Sequence, residues 1–347
     1  LWDFGTPVSL LRFSPLTVLD KVRFVTSTLR LQRTSQPAPF ERVTAAEWIR
    51  RHQGERVWRT IWAPLLEQKF ADDAEKVAMV WLWGKLYLRG RSRSASGMGE
   101  RLGYMKGSFS RLVSTLQARL ERQGADLHLS DPIRRIDRED GEFIVRAGSD
   151  AHRSRRVVIA APVEDYVKMA GHLHGDEHLA SLRRLRSTAA MCTILELERS
   201  LTPYYWLNIA DRTMPFGGLI EHTNYIPRER YGGRHILYIS NYLFPDHPLY
   251  RAPKAAVLET YLPALARINP EFNTDWIAAS HHFRADSAQP VVPVGYREMI
   301  PTMRTPISGL YLSTMAQIYP EDRGQNYAVV YGDRVARCVI EDDKRKH

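Results

Sequence analysis

Gly309-Leu310-Tyr311-Leu312-Ser313 leads into Tyr319-Pro320-Glu321-Asp322-Arg323-Gly324 and then Gln325-Asn326-Tyr327-Ala328, with Gly332 and Arg334 a turn or two further on. The apolar run predicts a strand over 309–313. The polar run predicts an irregular loop over 316–324, and the periodicity after it a helix over 325–340. A buried strand that passes through a loop into a helix aims the helix's unpaired first amides, and the positive end of its dipole, beyond the strand's carboxyl edge. That place stabilises a pyrophosphate or another electron-rich group.

Upstream, residues 103–170 read as a helix followed by short strands. Gly103-Tyr104-Met105-Lys106-Gly107-Ser108-Phe109 opens an amphipathic helix, Ser108 to Gln123, closed by Gly124. Short strands are predicted at Asp126–Leu129, Ile133–Asp137, Glu142–Ala147 and Arg156–Ala160, with Asp140-Gly141 as a hairpin turn. Val157–Ala161 is a continuous apolar run of the buried-strand kind, and a helix opens at Pro162. Residues 188–244 alternate as antiparallel strands do, at Met191–Leu197, Tyr205–Ile209, Phe216–Glu221 and His235–Asn241. A helix over 253–267 and a strand over Trp276–Arg284 follow.

The first third is helical. Residues 6–33 combine apolar positions (Leu10, Leu11, Leu16, Leu19, Val22, Val25) with Arg12, Lys21, Arg23, Arg30 and Arg33, and Asp20 is the only acid after Asp3. Such a segment can cover a core or lie on an anionic membrane surface. Thr44 and Glu47 have capping-box spacing. A helix from Glu55 towards Phe70 is expected to bend at Pro64. A third, Glu75 to Arg89, is apolar nearly all round, with Lys85 expected to snorkel to solvent.

Composition narrows the function classes. With 347 residues the chain can fill two domains and a sizeable core. The net charge of +10 suits an anionic partner, but the basic residues are dispersed and no nucleic-acid module is present. No run is long enough to cross a bilayer, which takes about 20 apolar residues, so the expected location is cytoplasmic, with membrane contact at most peripheral. Cys192 and Cys338 have no metal or redox spacing and read as reduced thiols. His172, His174, Asp176, Glu177 and His178 read as a solvated loop, and His281-His282 on a strand point to opposite faces, so no metal is expected. No G-x-S-x-G, H-E-x-x-H or Walker A motif occurs. Arg89-Gly90-Arg91-Ser92-Arg93 reads as a solvated loop that could grip a diphosphate.

The C-terminal segment resembles the FAD-binding signature of the flavin amine oxidase, protoporphyrinogen oxidase and phytoene desaturase superfamily. Residues 103–109, 125–136 and 158–162 resemble further family segments in the family's order. The resemblance covers 100–170 and 305–340, and the remainder is only loosely similar. It implies FAD as cofactor, with Ile133 at the adenine, Ala161 and Pro162 under the dinucleotide, and Ser313 and Thr314 near the ribityl-phosphate region. Asn326, Tyr327 and Ala328 would lie at the isoalloxazine. Tyr104, Lys106 and Arg284 are the substrate-pocket candidates, and no catalytic acid or base is identified. Ser313-Thr314 stand where the family commonly has Ala-Gly-Asp/Glu.

The fold this implies is α/β (mixed α+β): an incomplete Rossmann-like FAD-binding domain interleaved with a substrate domain of antiparallel sheet and helices. The expected division is 1–98 and 171–304 for substrate, and 99–170 and 305–347 for FAD. The family's G-x-G-x-x-G fingerprint has no counterpart, since Gly97-Met98-Gly99 with Gly103 is wrongly spaced, so at least one preceding βαβ unit is expected. The expected activity is removal of a hydride equivalent from a CH–NH or CH–CH substrate, a small molecule. The alternatives are a redox-neutral flavin-dependent sugar-nucleotide mutase resembling UDP-galactopyranose mutase, and a non-catalytic protein with a degenerate flavin site.

Overall fold

In the computed structural model, residues 7–92 and 103–345 are described. The chain opens on two helices where the sequence predicts one, α1 (Pro7–Arg12) and α2 (Val18–Arg33). Thr17 is the cause. Its hydroxyl accepts the Asp20 amide while the Asp20 carboxylate accepts the Thr17 amide and hydroxyl, a reciprocal cap that starts a new helix. Thr44 and Glu47 cap α3 (Ala45–His52) in the same way, as their spacing predicts. After α4 (Glu55–Val57) the chain widens into a π turn at Trp58–Trp62 before α5 (Ala63–Phe70). Pro64 has no amide to give the preceding turn, and the wider register, with the Ala63 amide reaching the Trp58 carbonyl, absorbs the loss. The expected bend is thus a change of helix type. Next come α6 (Met79–Ser92) and α7 (Ser110–Arg122).

The strands β1 (Ile133–Glu139) and β2 (Glu142–Ala147) turn at Asp140-Gly141, both at positive φ. β3 (Asp150–Ser154), β4 (Val157–Ile159), α8 (Val163–Ala170) and α9 (Asp176–Arg183) follow. Then come β5 (Ser187–Leu197), β6 (Trp206–Asn208), β7 (Gly218–Glu221) and β8 (His235–Leu243). The chain ends with α10 (Pro248–Arg251), α11 (Lys254–Ile268), β9 (Ile277–Pro290), β10 (Leu310–Leu312) and α12 (Gln325–Lys344). Two expectations are corrected. Asp126–Leu129 forms no strand: nothing among the described residues pairs with it, and Leu129 is exposed. β3 was not foreseen, because Asp150-Ala151-His152-Arg153-Ser154 carries no apolar alternation.

The chain divides into two compact units, each assembled from three separate segments. The first comprises the residues up to Tyr87, Arg183–Ile300 and Met315–Ala328. Its sheet is antiparallel throughout, in the order β6-β7-β8-β5-β9. Ala189, Met191, Leu195 and Leu197 are buried at period two on β5. They cluster with Leu237 and Ile239 of β8 and with Val257, Tyr261 and Leu265 of α11. Each Leu, Ile, Val or Met side chain among them contributes about 1.5–3 kcal/mol on burial, which fixes α11 to that face. The alternate residues are only half-buried: Cys192 and Ile194 on β5, Tyr238 and Tyr242 on β8. Register adds the exposed Phe283 opposite Cys192, and the exposed Trp206 in line with Ile220 and Tyr238. This second face is therefore aromatic, open around Trp206 and Phe283 and covered at Tyr242 by Lys69 and Arg323. As expected, His281 and His282 face opposite ways, bonded to Glu196 and Thr193 respectively.

The second unit comprises Leu88–Leu182, Pro301–Thr314 and the residues from Val329. It holds an antiparallel meander, β1-β2-β3, and a parallel pair, β4 with β10, in which Leu310, Tyr311 and Leu312 oppose Val157, Val158 and Ile159. Gly309 enters β10 at φ 90°, where an added Cβ would lie 2.8 Å from the Arg155 carbonyl oxygen, so only glycine fits. Here α12 is held chiefly by polar ties: Tyr311 donates to Asp342, and Arg304 binds Asp342 and Glu341. Its only buried side chain is Val335. None of the residues of α7 is buried, and Leu112, Val113 and Leu116 are exposed. Among the described residues no helix is long and apolar enough to cross a membrane.

Candidate functional site

The first unit gathers a charged cluster around Asp322, in the loop before α12. Lys85 approaches one carboxylate oxygen at 2.6 Å and Lys69 the same oxygen at 3.2 Å. The other oxygen accepts from Gln289 at 3.1 Å and from the Trp81 indole at 3.4 Å. Arg323 donates to the Gln289 amide oxygen at 2.6 Å and to the Tyr242 hydroxyl at 3.0 Å. Trp81 and Lys85, one turn apart on α6, share a face, and Lys85 lies 4.8 Å from the Trp81 ring centre. Lys69 sits 5.5 and 5.6 Å from the Trp81 and Tyr242 ring centres.

The loop is fixed on both flanks. Tyr296 donates to the Ala316 carbonyl at 2.8 Å and its ring stacks on Tyr319. Arg297 covers Tyr319 and pairs with Glu41. Gly84 lets α6 approach: an added Cβ would meet the Pro320 carbonyl oxygen at 3.2 Å. This close approach places Lys85, the next residue, against Asp322.

Burial alone would raise the Asp322 carboxyl. The ammonium groups of Lys69 and Lys85, with Arg323, outweigh it and hold Asp322 well below the usual carboxylate range. Burial draws Lys69 down from its ordinary value, with Asp322 opposing and Arg323 assisting. Three cations surround one carboxylate, so the cluster carries surplus positive charge in a partly dry place. Such a group can stabilise an anion, or a lysine there can hold or release a proton. A cavity of about 670 Å³ also lies in this unit, lined by Gln68, Ile209, Phe216 and Leu249. Its charged residues are already paired, Glu67 with Arg212 and Asp211 with Arg267, so it offers less chemistry than the Asp322 cluster.

The Ser313 amide donates to the Ile159 carbonyl at 2.9 Å, extending the parallel pair past β10. Ser313 and Thr314 thus follow the carboxyl end of β10, and Ala161 and Pro162 that of β4. Thr314 is buried, and Pro162 precedes α8 as its N-cap. Ile133 starts β1 opposite Ala147 and is partly exposed. Asn326, Tyr327 and Ala328 occupy the first turn of α12, where the Tyr327 and Ala328 amides both donate to the Gly324 carbonyl at 3.0 Å. Gly324, Gln325 and Asn326 are exposed. Tyr104 meets Phe109 edge-on before α7, and Lys106 is exposed.

Arg284 pairs in register with Met191, which puts it on the α11 side of the sheet, away from Tyr242. There it donates to the Ala252 carbonyl and covers the Tyr250 ring. Arg89 to Ser92 continue α6 instead of forming a loop, and Arg93 and Gly97 to Gly99 lie outside the described residues. The histidine segment is a helical turn and the start of α9, not a loop; His172, Asp176 and Glu177 are exposed as expected, while His172 binds Asp137 and His174 bonds the Tyr166 hydroxyl. Lys85 does not snorkel but pairs with Asp322. Sequence reasoning missed the whole cluster of Lys69, Trp81, Tyr242, Gln289, Asp322 and Arg323. The cue it offered was a lysine inside an otherwise apolar helix.

A family model described as flavin containing amine oxidoreductase matches residues 4–340. Among solved structures, the chain is similar to a protein from Exiguobacterium sp. 255-15 provisionally named a protoporphyrinogen oxidase. Identity is 18% and TM-score 0.66, over 98% of this chain and 75% of that one. It is similar to cyclohexylamine oxidase from Brevibacterium oxydans IH-35A at 13% identity and TM-score 0.60, over 99% and 77%. It is similar to reduced UDP-galactopyranose mutase at 15% and 0.57, over 82% and 63%. At these identities the likeness shows the fold. A comparison with curated proteins found no match.

Proposed function

This chain belongs to the flavin containing amine oxidoreductase family, and on that premise we propose that it is an FAD-dependent oxidoreductase removing a hydride equivalent from a CH–NH or CH–CH substrate. The observation that carries the reading is the Asp322 cluster: partly buried lysines with one shifted below its ordinary pKa, fixed on the loop that delivers the first turn of α12.

Each unit by itself supports a flavin dinucleotide: in the second, β4 and β10 run parallel with their carboxyl ends together and Gly332 has no atom within 4 Å of an added Cβ, and in the first, Gln325 and Asn326 at the start of α12 are exposed. In this reading the second unit is the Rossmann-like part. Ile133, Ala161, Pro162, Ser313 and Thr314 would hold the dinucleotide, and Asn326, Tyr327 and Ala328 the ring. The flavin supplies the hydride acceptor. The first unit takes the substrate, whose apolar body would rest on the open face formed by Trp206, Tyr238 and Phe283. Tyr104 and Lys106 remain candidates for further contacts. Surplus cations disfavour a protonated amine and favour a neutral or anionic form. Lys69, lowered by burial, is the group best suited to hold or move a proton at Nζ.

Flavin content per chain tests the cofactor reading. Asn326→Ala with Tyr327→Ala should lower it, and an unchanged content would remove these residues from the cofactor. A pH–rate profile tests Lys69: Lys69→Met should delete one ionisation, and a profile identical to that of the parent would exclude it. The likeness to UDP-galactopyranose mutase and the cation surplus favour one second reading, redox-neutral turnover on a sugar nucleotide. That reaction would need reduced flavin while consuming no electron acceptor.

A further inference from the structure

Helix α2 presents its apolar residues to solvent. Val18, Val22, Val25 and Leu29 recur at helical spacing along one stripe, and their exposures are 77%, 53%, 39% and 42%. Leu19 beside the stripe and Leu11 on α1 are 57% and 73% exposed. The buried residues of α2 are Asp20, Ser27 and Leu31, two of them polar. That polar face is locked inward: Gln53 donates to the Ser27 hydroxyl at 2.9 Å, and the Trp62 indole donates to Gln53 at 2.7 Å. Rotating the helix to hide the stripe would leave these buried groups without partners, at about 1–3 kcal/mol each. α1 is tied to the same surface by Lys21, which donates to the Leu11 carbonyl at 2.7 Å.

Charge decides what covers the stripe. Arg12, Arg23, Arg30 and Arg33 are exposed around it. The one acid of α1 and α2, Asp20, is held in the Thr17 cap beside Arg56 and Arg23, one negative charge against the five cations Arg12, Lys21, Arg23, Arg30 and Arg33 of these helices. Two copies of this face would oppose like charges, whereas an anionic bilayer accepts both the apolar stripe and the cations. We infer that α1 and α2 form a docking surface for the anionic headgroup layer of a membrane, with the α2 axis in the interface plane. The helix lies on the bilayer and does not cross it, in keeping with the absence of a spanning helix among the described residues. The inference is independent of the cofactor.

Co-sedimentation of the protein with phosphatidylcholine vesicles, with and without phosphatidylglycerol, tests it. The expected result is binding to the phosphatidylglycerol vesicles that weakens as salt rises. Val22→Asp with Leu29→Asp should reduce that binding by roughly tenfold or more, and Arg30→Gln by roughly fivefold. These positions are exposed, so unchanged thermal unfolding verifies that the variants fold. Three outcomes would overturn the inference: no binding to anionic vesicles, binding indifferent to the Val22 and Leu29 substitutions, or a dimer in ultracentrifugation that those substitutions dissociate.

Discussion

Replacing Asp322 with asparagine keeps the shape of the side chain and removes its charge. Lys69 and Lys85 would then face each other and Arg323 with no counter-ion. The Asp322 side chain is 15% exposed and Lys69 21%, so that pair is shielded from solvent, whereas Lys85 at 35% is partly screened and counts for less. Removing one partner of a buried ion pair costs about 3–5 kcal/mol. With the Lys85 share discounted, a loss of about 3 kcal/mol is expected for Asp322→Asn, or roughly 6–12 °C in the melting temperature of the unit that contains it. The pH dependence gives a second check. The folded-state pKa of Asp322 lies below its unfolded value, so its stabilisation is full above the ordinary carboxylate pKa of about 4 and fades as pH falls through the folded value. The gap between parent and variant should therefore be constant near neutrality and narrow in acid. Calorimetry across that range is the assay. Equal stability at neutral pH, or a gap that widens in acid, would refute the placement of the two lysines on Asp322.

Gly84→Ala should press on the Pro320 carbonyl and cost about 1–3 kcal/mol, measurable by thermal unfolding, with the loop at 319–323 displaced. Leu265→Ala, at a fully buried position of α11, should cost about 2–5 kcal/mol in denaturant unfolding. Burial, then the neighbouring His178 and His172, lowers His174 to about 4, so the folded state resists a proton that the unfolded chain accepts from about pH 6.5 downward. Stability should fall between those two pH values, and His174→Gln should flatten that part of the profile.

Elements that declare themselves locally were legible in the sequence. Thr44 and Glu47 announce α3, Asp140-Gly141 the β1–β2 turn, and Leu310-Tyr311-Leu312 a buried strand before a helix. Thr17 and Asp20 make the same cap as Thr44 and Glu47, yet the apolar residues on both sides read as one continuous helix. β3 was hidden because pairing to β2, not apolar alternation, makes it a strand. Leu127 and Leu129 suggested a strand that finds no partner among the described residues. The Asp322 cluster lay further out of reach. Lys85 and Asp322 are 237 residues apart, and Lys69 and Asp322 253, so no local spacing could join them. Only the folded sheet, which brings Tyr242 and Gln289 to the same loop, reveals the charge that Lys85 was placed to meet.

We propose that the open first turn of α12 serves a flavin. The direct measurement is the absorption spectrum of the protein purified as the cell makes it and incubated with FAD. Bands near about 375 and 450 nm that remain with the protein after gel filtration are the expected result. A colourless protein that retains no FAD would refute that proposal.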